Sequence, residues 1–417
     1  MTLLATQLVA RTTPLDPSGV DLLAVAGGDG FAWERDGSGL AGRGIAARLQ
    51  LPDGLADAAG RAAVAEAPAS IEAVDDVGLP GCGPLALGAL PFSPSAPASL
   101  VVPALLVGRD RDGHAWRTTI GPPGGPPVDP APSPASPPMA GPDAFTLTPS
   151  MSHEAWCALV AAAVADIQAG LLEKVVLARE VVVSANRPID VAAVLGRLQA
   201  LYPSCVVFSL EGFLGASPEL LVRRIGPAVA SHPLAGTIPR SGDPVVDDAL
   251  AAGLLSSTKE RAEHRFVVDD VAAALRPRCD RLTVPETPSI VPLRNVSHLG
   301  TRVTGQLAGP PAAWPTALDL AAELHPTAAV GGTPRPAALS WLQAREGFQR
   351  GPYAGPVGWV DARGDGEWMV GIRSAVVSGA TARLYAGVGV VADSDPAAEL
   401  GESQLKLQAL LAAVVRP

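Results

Sequence analysis

The stretch STKERAEH, residues 257–264, places two carboxylates three positions apart on what is predicted to be a helix. Ser257 precedes Glu260 by three residues, which is the spacing of an N-terminal capping box, so the helix is predicted to begin here. It should run to about Arg276, because a proline follows. Residues at positions i and i+3 lie on one face of a helix, so Glu260 and Glu263 should project in the same direction.

A second carboxylate pair with the same spacing, Glu399 and Glu402, lies in the predicted last helix, which Asp395 should cap and Pro396 should begin. Two such faces brought together would form an oxygen-rich site for a hard cation such as Mg²⁺. Each carboxylate also has a simpler interpretation. Glu260 can complete its capping box, Glu399 suits the positive end of the helix dipole, and Glu402 can pair with Lys406 one turn later.

The composition limits the partners that this chain can have. It has 417 residues, 48% of them hydrophobic, and a formal net charge of -10 without a block of Lys or Arg, which argues against nucleic-acid or membrane binding. The four cysteines are scattered without a CxxC motif, so neither a zinc site nor a disulfide framework is expected. The apolar run 101–107 is too short to span a bilayer, and the N-terminus lacks the pattern of a signal peptide. A soluble cytoplasmic protein is therefore expected, and we expect a monomer.

Three regions differ in pattern. Residues 1–120 read as a β-rich part, and residues 121–149 as a flexible connection that is rich in proline in its first two thirds. Residues 150–417 mix helical periodicity with alternating strands and carry every candidate functional residue. The strict alternation of strand and helix is missing, so the fold class is predicted to be α+β. Because a long surface loop costs little free energy, residues 1–120 can belong to the same fold as the rest.

Lys174 and Glu219 are the candidate proton-transfer groups. Lys174 opens a valine-rich strand, where it is either an edge lysine that reaches water or a buried base with a lowered pKa. Glu219 starts another apolar strand after Ser217-Pro218, where it is either a solvated strand end or, in a closed pocket, a carboxyl with a raised pKa that can donate a proton.

Arg373 is predicted to lie in a strand, with Gly371 on the same face, and Gly387 and Gly389 share a face of the next strand. Glycine inside a strand often marks the close approach of a ligand, and an arginine beside bare backbone can bind a carboxylate. The alternative is a bulge with a surface arginine. The single histidines His298 and His325 are flanked by apolar residues, a setting in which core histidines are commoner than catalytic ones.

Together these stretches resemble the chorismate-utilising enzymes, and among them the isochorismate synthases. Nine segments match in the family's order: KVVLAR (174–179), GASPEL (215–220), PLAGT (233–237), KERAEH (259–264), HPTAAVGG (325–332), YAGPVGW (353–359), GIR (371–373), YAGVG (385–389) and ELGE (399–402). FAWE (31–34) and GALPF (88–92) are similar more loosely. One segment is modest support, but nine in order are highly specific.

The resemblance implies antiparallel sheets that pack face to face, helices outside them and an active site in a deep cleft. It implies Mg²⁺ held by Glu263 and Glu402, with Glu260 and Glu399 close by. Lys174 would be the general base and Glu219 the general acid of a reversible isomerisation of chorismate to isochorismate. The substrate-binding residues that it implies are Thr237, His298, Thr327, Ala329, Tyr353, Arg373, Gly387 and Lys406.

Two positions separate the relatives. Aminodeoxychorismate synthases carry a nucleophilic lysine in the segment that here holds Ala235, and anthranilate synthases lack a lysine matching Lys174. No glutamine-amidotransferase partner is expected. Two alternatives stay open: a salicylate synthase, which eliminates pyruvate from isochorismate, and an inactive paralogue that binds chorismate. Whether the product serves menaquinone or siderophore synthesis also stays open.

Overall fold

Antiparallel strand pairing dominates the computed structural model, which describes residues 7–125 and 141–415. The strands of the first part are β1 Val9–Leu15, β2 Phe31–Arg35, β3 Ser38–Leu51, β4 Glu72–Asp75, β5 Leu85–Ala89, β6 Ala98–Arg109 and β7 Ala115–Gly121. Those of the second part are β8 Phe145–Pro149, β9 Lys174–Ala185, β10 Val206–Leu210, β11 Phe213–Ser217, β12 Leu220–Ile225, β13 Ala228–His232, β14 Leu234–Pro239, β15 Cys279–Thr283, β16 Ser289–Pro292, β17 Val296–Gly300, β18 Val303–Leu307, β19 Gly332–Thr333, β20 Pro356–Asp361, β21 Gly366–Val370, β22 Ser374–Ser378 and β23 Thr381–Val390. The helices are α1 Leu22–Ala26, α2 Ala58–Ala69, α3 His153–Gln168, α4 Val191–Leu201, α5 Pro244–Ser256, α6 Thr258–Leu275, α7 Ala317–Leu324, α8 Arg335–Arg345 and α9 Pro396–Val415.

The strand β6 joins two wings of the sheet. It pairs with β3 along its whole length and with β7 through its C-terminal half. The β3 side continues through β2, β10, β11, β22 and β23 to β9. Its N-terminal half also pairs with β5, which leads through β20, β21, β12, β13 and β18 to β15. Side chains from both wings, among them Trp33, Phe208 and Trp359, share one buried cluster between the sheets. The expected α+β class with sheets packed face to face is confirmed.

A separate three-stranded sheet, β14–β17–β16, supplies one side of the active-site cleft. It packs against α5 and α6. On the other side, β9 and β23 run antiparallel from Val175 opposite Val390 to Ser184 opposite Thr381. The helices α3 and α9 contact each other and cover β23. This arrangement brings α6, α9 and the start of β9 around one space.

Both carboxylate-bearing helices begin where the sequence predicts. The Ser257 hydroxyl accepts the Glu260 N–H at 3.3 Å, so α6 has its predicted N-cap, although no return bond from the Glu260 side chain completes a capping box. Asp395 accepts the Ala398 N–H at 2.8 Å and Pro396 occupies the first position of α9. These ends are predictable because capping depends on neighbouring residues only.

The strand predicted to carry Arg373 is interrupted. Residues 371–373 separate β21 from β22, and Arg373 has a φ of 49°, in the left-handed region that side chains seldom adopt. The chain changes partners at this point, because β21 pairs with β12 and β20 while β22 pairs with β11 and β23. The prediction of a continuous strand was therefore wrong here, and the break turns Arg373 into the cleft.

The predicted connection 121–149 ends in regular structure. Gly121 closes β7, and Phe145–Pro149 forms β8, which pairs with β9. The last five residues of the predicted flexible segment are thus a strand. Residues 126–140 of that segment lie outside the described residues.

Within the described ranges, no helix combines the length and the apolar character that crossing a bilayer requires.

Candidate active site

Lys174 opens β9 and is buried, with 1% of its surface exposed. Its Nζ lies 3.0 Å from Glu263 Oε1 on α6. Gly389 of β23 makes room for this contact, because a Cβ there would stand 2.4 Å from Glu263 Oε1 and 3.1 Å from Lys174 Cε. The edge-lysine alternative is therefore excluded, and Lys174 faces the enclosed cavity.

Glu219 lies in the other wing of the sheet, immediately before β12, and is also buried. Ser217 fixes its backbone: the hydroxyl donates to Val370 O at 2.6 Å and accepts the Glu219 N–H at 3.3 Å. Burial raises the pKa of Glu219 to about 7, against the opposing effects of a hydrogen bond from the Leu234 N–H and the charge of Lys174. A carboxyl with this pKa is substantially protonated at neutral pH, as a general acid must be.

The four helical glutamates line the same cavity as Lys174 and Glu219. Burial raises the pKa of Glu399 to about 7, with Glu402 adding to the effect, and burial followed by Glu263 raises the pKa of Glu260. Glu399 and Glu260 are thus destabilised as anions first by burial and then by a carboxylate neighbour, and a bound divalent cation would relieve that repulsion. The residues present fit a Mg²⁺ site.

Among the described residues, the cluster with metal-ligand spacing is a different one, Asp110, Asp112 and His114 in the hairpin between β6 and β7. Asp110 there accepts the N–H groups of Asp112 and His114 and contacts the His114 ring at 2.8 Å. These hydrogen bonds stabilise the hairpin turn, so the turn itself explains why the three side chains lie close together. The four glutamates of α6 and α9 do not form a cluster of that spacing, and two of them pair with lysines instead: Glu263 with Lys174 at 3.0 Å and Glu402 with Lys406 at 2.6 Å.

Arg373 and His298 form a buried pair in the cleft. Arg373 Nη2 lies 2.6 Å from His298 Nε2, while its Nη1 is buried without a hydrogen-bond partner. His298 Nδ1 lies 3.2 Å from both Gly236 O and Thr237 Oγ1. Burial, with Arg373 second, lowers the pKa of His298 well below its usual value. Arg373 therefore offers unsatisfied donors to an anion in the cavity.

The apolar wall of the cavity is a stack of aromatic rings. Tyr353 lies 5.0 Å from Tyr385, which stacks in turn on Phe348 at 6.2 Å. A Cβ on Gly387 would lie 2.8 Å from the Tyr353 hydroxyl, so the glycine allows the ring its position. Lys406 Nζ donates to Gly387 O at 2.9 Å. A planar ring could stand against this wall with its acidic groups directed at Arg373 and Lys406.

Thr327 is the one predicted site residue that does not line the cavity. Its hydroxyl accepts the Ala329 N–H at 3.3 Å and its carbonyl accepts the N–H groups of Val330 and Gly331. These bonds fold the loop that presents Ala329 and Val330 to the cavity, and a direct contact between Thr327 and the substrate stays a prediction.

Several lining residues were absent from the predicted site: Val176, Pro218, Leu234, Lys259, Val330 and Ala386. Leu234 is three positions from Thr237, the other five adjoin or alternate with a predicted residue, and Lys259 directly precedes Glu260. The local motifs could have pointed to them, but their side-chain direction depends on packing.

We expect Gly389→Ala to lower kcat/KM at least about tenfold while leaving the fold intact. The new methyl group would displace the end of the Glu263 side chain and disturb its contact with Lys174, and small displacements at a reacting centre cost about this much. Steady-state kinetics and thermal melting would measure the two effects. Gly196→Ala in α4, where a Cβ meets nothing within 4 Å, is the control and should leave kcat/KM unchanged. Equal activity of Gly389→Ala and the wild type would contradict the prediction.

Comparisons with known proteins agree with this geometry. The family described as chorismate binding enzyme matches residues 132–415. The chain is 45% identical to isochorismate synthase DhbC of Bacillus subtilis over 261 residues, which are 60% of this chain and 65% of that relative, just under two thirds of its length. It is 34% identical to isochorismate synthase EntC of Escherichia coli over 342 residues, 79% and 80% of the two chains. Among solved structures, MenF, the menaquinone-specific isochorismate synthase of Escherichia coli, superposes with a TM-score of 0.81 at 27% identity, over 99% of this chain and 95% of that one.

Proposed function

Because this chain belongs to the chorismate-binding enzyme family, we propose that it converts chorismate to isochorismate. The observation that carries the proposal is the pair of buried proton-transfer groups, Lys174 and Glu219, in one cavity that also contains the unsatisfied guanidinium of Arg373. A lysine and a carboxyl whose pKa is raised to about 7 suit a reaction that takes a proton from one oxygen and gives a proton to another.

The reaction needs one proton transfer at each end of the ring. Lys174 removes a proton from a water molecule as its oxygen bonds to C2 of chorismate. The two ring double bonds shift, the bond from C4 to its hydroxyl breaks, and Glu219 supplies the proton with which that hydroxyl leaves as water. One water is consumed and one is released, so the reaction is an isomerisation and is reversible.

The remaining residues hold the substrate in place. Arg373 and Lys406 bind carboxylate groups, while Tyr353, Ala329 and Gly387 shape the space beside the ring. Thr237 and His298 complete the side of the cavity formed by β14 and β17. Such positioning raises the reaction rate because it fixes the direction from which the water approaches C2 of the ring.

We propose that Glu263 and Glu402 hold Mg²⁺, with Glu260 and Glu399 beside it. When bound, the ion supplies positive charge that neutralises the ring carboxylate and fixes the ring. The support is that the four carboxylates line one cavity, in which burial and a neighbouring carboxylate raise the pKa of Glu399 and of Glu260.

The direct test is to incubate the enzyme with chorismate and Mg²⁺ and to separate the products by chromatography. We expect isochorismate, in an equilibrium that is also reached from the isochorismate side. Salicylate with pyruvate would identify a salicylate synthase instead. Tight binding of chorismate without turnover would identify an inactive binding protein.

Removal of the metal is expected to abolish activity. Excess EDTA should stop turnover and Mg²⁺ should restore it, and Glu402→Gln should weaken Mg²⁺ binding at least about tenfold in calorimetry because a charged oxygen ligand is lost. Asp112→Asn, in the β6–β7 hairpin, is the matched control and should bind Mg²⁺ as the wild type does. Full activity in EDTA, or a loss of binding in Asp112→Asn alone, would reject the assignment.

We further propose that the enzyme acts in the cytoplasm as a monomer without an amidotransferase subunit. One chain contributes all the cavity residues described, and water rather than ammonia is the nucleophile. Size-exclusion chromatography with light scattering would measure the oligomeric state.

A further inference from the structure

We infer that His298 is a positioning residue that holds the Arg373 guanidinium in the direction in which it meets the substrate carboxylate, and that it does so as a neutral ring protonated at Nδ1. The inference rests on the proposed function only for the identity of that substrate. It replaces the expected direct contact between His298 and the substrate.

The contacts of the ring dictate its tautomer. Arg373 has only donors, so the 2.6 Å contact from Nη2 requires His298 Nε2 to be the acceptor. The proton of the neutral ring must then be on Nδ1, where it can be donated to Gly236 O or to Thr237 Oγ1, each at 3.2 Å. Both ring nitrogens are occupied by the protein. His298 therefore has no lone pair or proton left to exchange with a substrate.

Arg373 needs this support because little else directs it. Its backbone lies at the break between β21 and β22, with a φ of 49°. Among the described residues no carboxylate forms an ion pair with it. Its other side-chain partner is the Cys205 thiol, which is a weak hydrogen-bonding group, and Cys205, Tyr202 and Glu219 act on it electrostatically. The 2.6 Å contact with His298 is its short hydrogen bond among the described residues. An arginine without such a partner would sample several rotamers, which lowers its affinity for a carboxylate.

The segment of β14 that contacts His298 Nδ1, residues 235–237, also contacts the acidic side of the cavity. This segment is a bulge in β14. The pairing register of β14 with β17 shifts between Ala235 and Thr237, and Gly236 has a φ of 72°. The Thr237 N–H donates to Glu260 Oε2 at 3.3 Å. One turn of backbone thus fixes both the histidine behind Arg373 and a carboxylate on α6.

Two conservative variants separate the two hydrogen bonds of the ring. In His298→Gln the amide oxygen can occupy the place of Nε2 and accept from Arg373. In His298→Asn the amide nitrogen can occupy the place of Nδ1, but no acceptor reaches Arg373. We expect His298→Asn to raise KM for chorismate about 10- to 100-fold, the usual effect of losing one hydrogen bond to a charged group. Its kcat should change much less, and His298→Gln should restore most of the affinity.

A double-mutant cycle tests whether the effect passes through Arg373. His298→Asn combined with Arg373→Gln should bind chorismate no more weakly than Arg373→Gln alone, because the histidine has nothing left to position. Additive losses, or a fall in kcat at unchanged KM, would overturn the inference. His232→Asn, a histidine outside the cavity lining, is the control for losing an imidazole and should keep the wild-type KM.

A spectroscopic measurement keeps the test independent of the substrate. Nitrogen-15 NMR of the histidine rings should show at pH 7 a neutral ring protonated at Nδ1 that disappears in His298→Asn and shifts in Arg373→Gln. A charged ring, or the tautomer protonated at Nε2, would refute the inference whether or not chorismate is turned over. If the expected tautomer is present and chorismate is not bound, the proposed function fails and the link between His298 and Arg373 stands.

Discussion

Replacing Glu219 by glutamine is expected to lower kcat by about 10²- to 10⁴-fold, the usual contribution of one positioned proton donor. Glutamine has the shape of the protonated carboxyl and can accept the Leu234 N–H as Glu219 does, but it cannot give up a proton to the leaving hydroxyl. The fold should be unaffected, because the substitution removes no volume. Steady-state kinetics and a thermal melt measure the two quantities.

The pH dependence of the wild type follows from the same group. Burial raises the pKa of Glu219 to about 7, so its protonated, active form is depleted as pH rises above that value. We expect the kcat of the wild type to fall about tenfold per pH unit above pH 7, as Glu219 loses its proton. This fall should be absent from the pH profile of Glu219→Gln.

Asp361→Asn is the matched control for a buried carboxyl. Burial raises the pKa of Asp361 to about 6, and this group lies in the hairpin between β20 and β21, outside the cavity lining. Its Oδ1 accepts the N–H groups of Arg363 and Asp365, which an asparagine oxygen can also do. The control should keep the wild-type kcat and pH profile. Near-normal turnover by Glu219→Gln would show that Glu219 is not the proton donor.

Replacing Lys174 by methionine should be equally damaging at the other end of the ring. Methionine preserves most of the buried stem but cannot take a proton from water, so kcat should fall about 10²- to 10⁴-fold. The loss of kcat in the double variant Lys174→Met with Glu219→Gln should be smaller than the product of the two single losses, because the two groups act in one reaction. Isotope exchange between water and the substrate hydroxyl would measure any residual reaction, and its persistence at the wild-type rate in Lys174→Met would contradict the base assignment.

The largest effect on stability is expected from Arg350→Leu, which should lower the free energy of unfolding by about 3–5 kcal/mol. Arg350 pairs with Glu346 at 2.6 Å, with only 2% and 5% of the two side chains exposed. It also donates to Val176 O at 2.6 Å and Val330 O at 2.9 Å. The substitution leaves the Glu346 charge buried and these two cavity-lining segments without their common donor.

Two comparisons give this prediction its control. Arg265→Met breaks a pair with Asp269 whose side chains are 68% and 56% exposed, and exposed pairs contribute about 0–1 kcal/mol. The double variant Glu346→Leu with Arg350→Leu removes both charges and should lose less than the sum of the single variants. Urea unfolding followed by two independent probes would measure the wild type, the double variant and the single variants Arg350→Leu, Glu346→Leu and Arg265→Met. An effect of Arg350→Leu no larger than that of Arg265→Met would show that the pair does not hold these segments.

Local motifs accounted for much of the site before any coordinates. The i, i+3 spacing on α6 and α9 places Glu260 with Glu263 and Glu399 with Glu402, and the caps at Ser257 and Asp395 start both helices. Lys174 and Glu219 carried the right chemical groups, but an edge lysine and a solvated strand end were open alternatives. Burial removed those alternatives, and burial is a property of what packs around a residue rather than of its neighbours in the chain.

The differences between prediction and structure have the same origin. Thr327 belongs to a matching motif, yet its hydroxyl turns to the backbone of its own loop. Arg373 was assigned to a continuous strand, because alternation does not reveal that the chain changes partners there. Helix α5 was not predicted at all, although Asp243 caps it and Pro244 starts it.

The amino-acid sequence by itself determined the helix starts, the paired carboxylates and the presence of a lysine and a glutamate that are able to transfer protons, because caps, helical spacing and residue chemistry depend on a few adjacent positions. Only the tertiary structure decided that Lys174 meets Glu263, that Arg373 meets His298 and that Thr327 stays outside the cavity. Those contacts join residues 89 and 75 positions apart along the chain (263 − 174 and 373 − 298). They form because three strand pairs each adopt one register: β9 with β23, β14 with β17, and β11 with β22. The burial of side chains throughout the core contributes to the free energy that favours these registers.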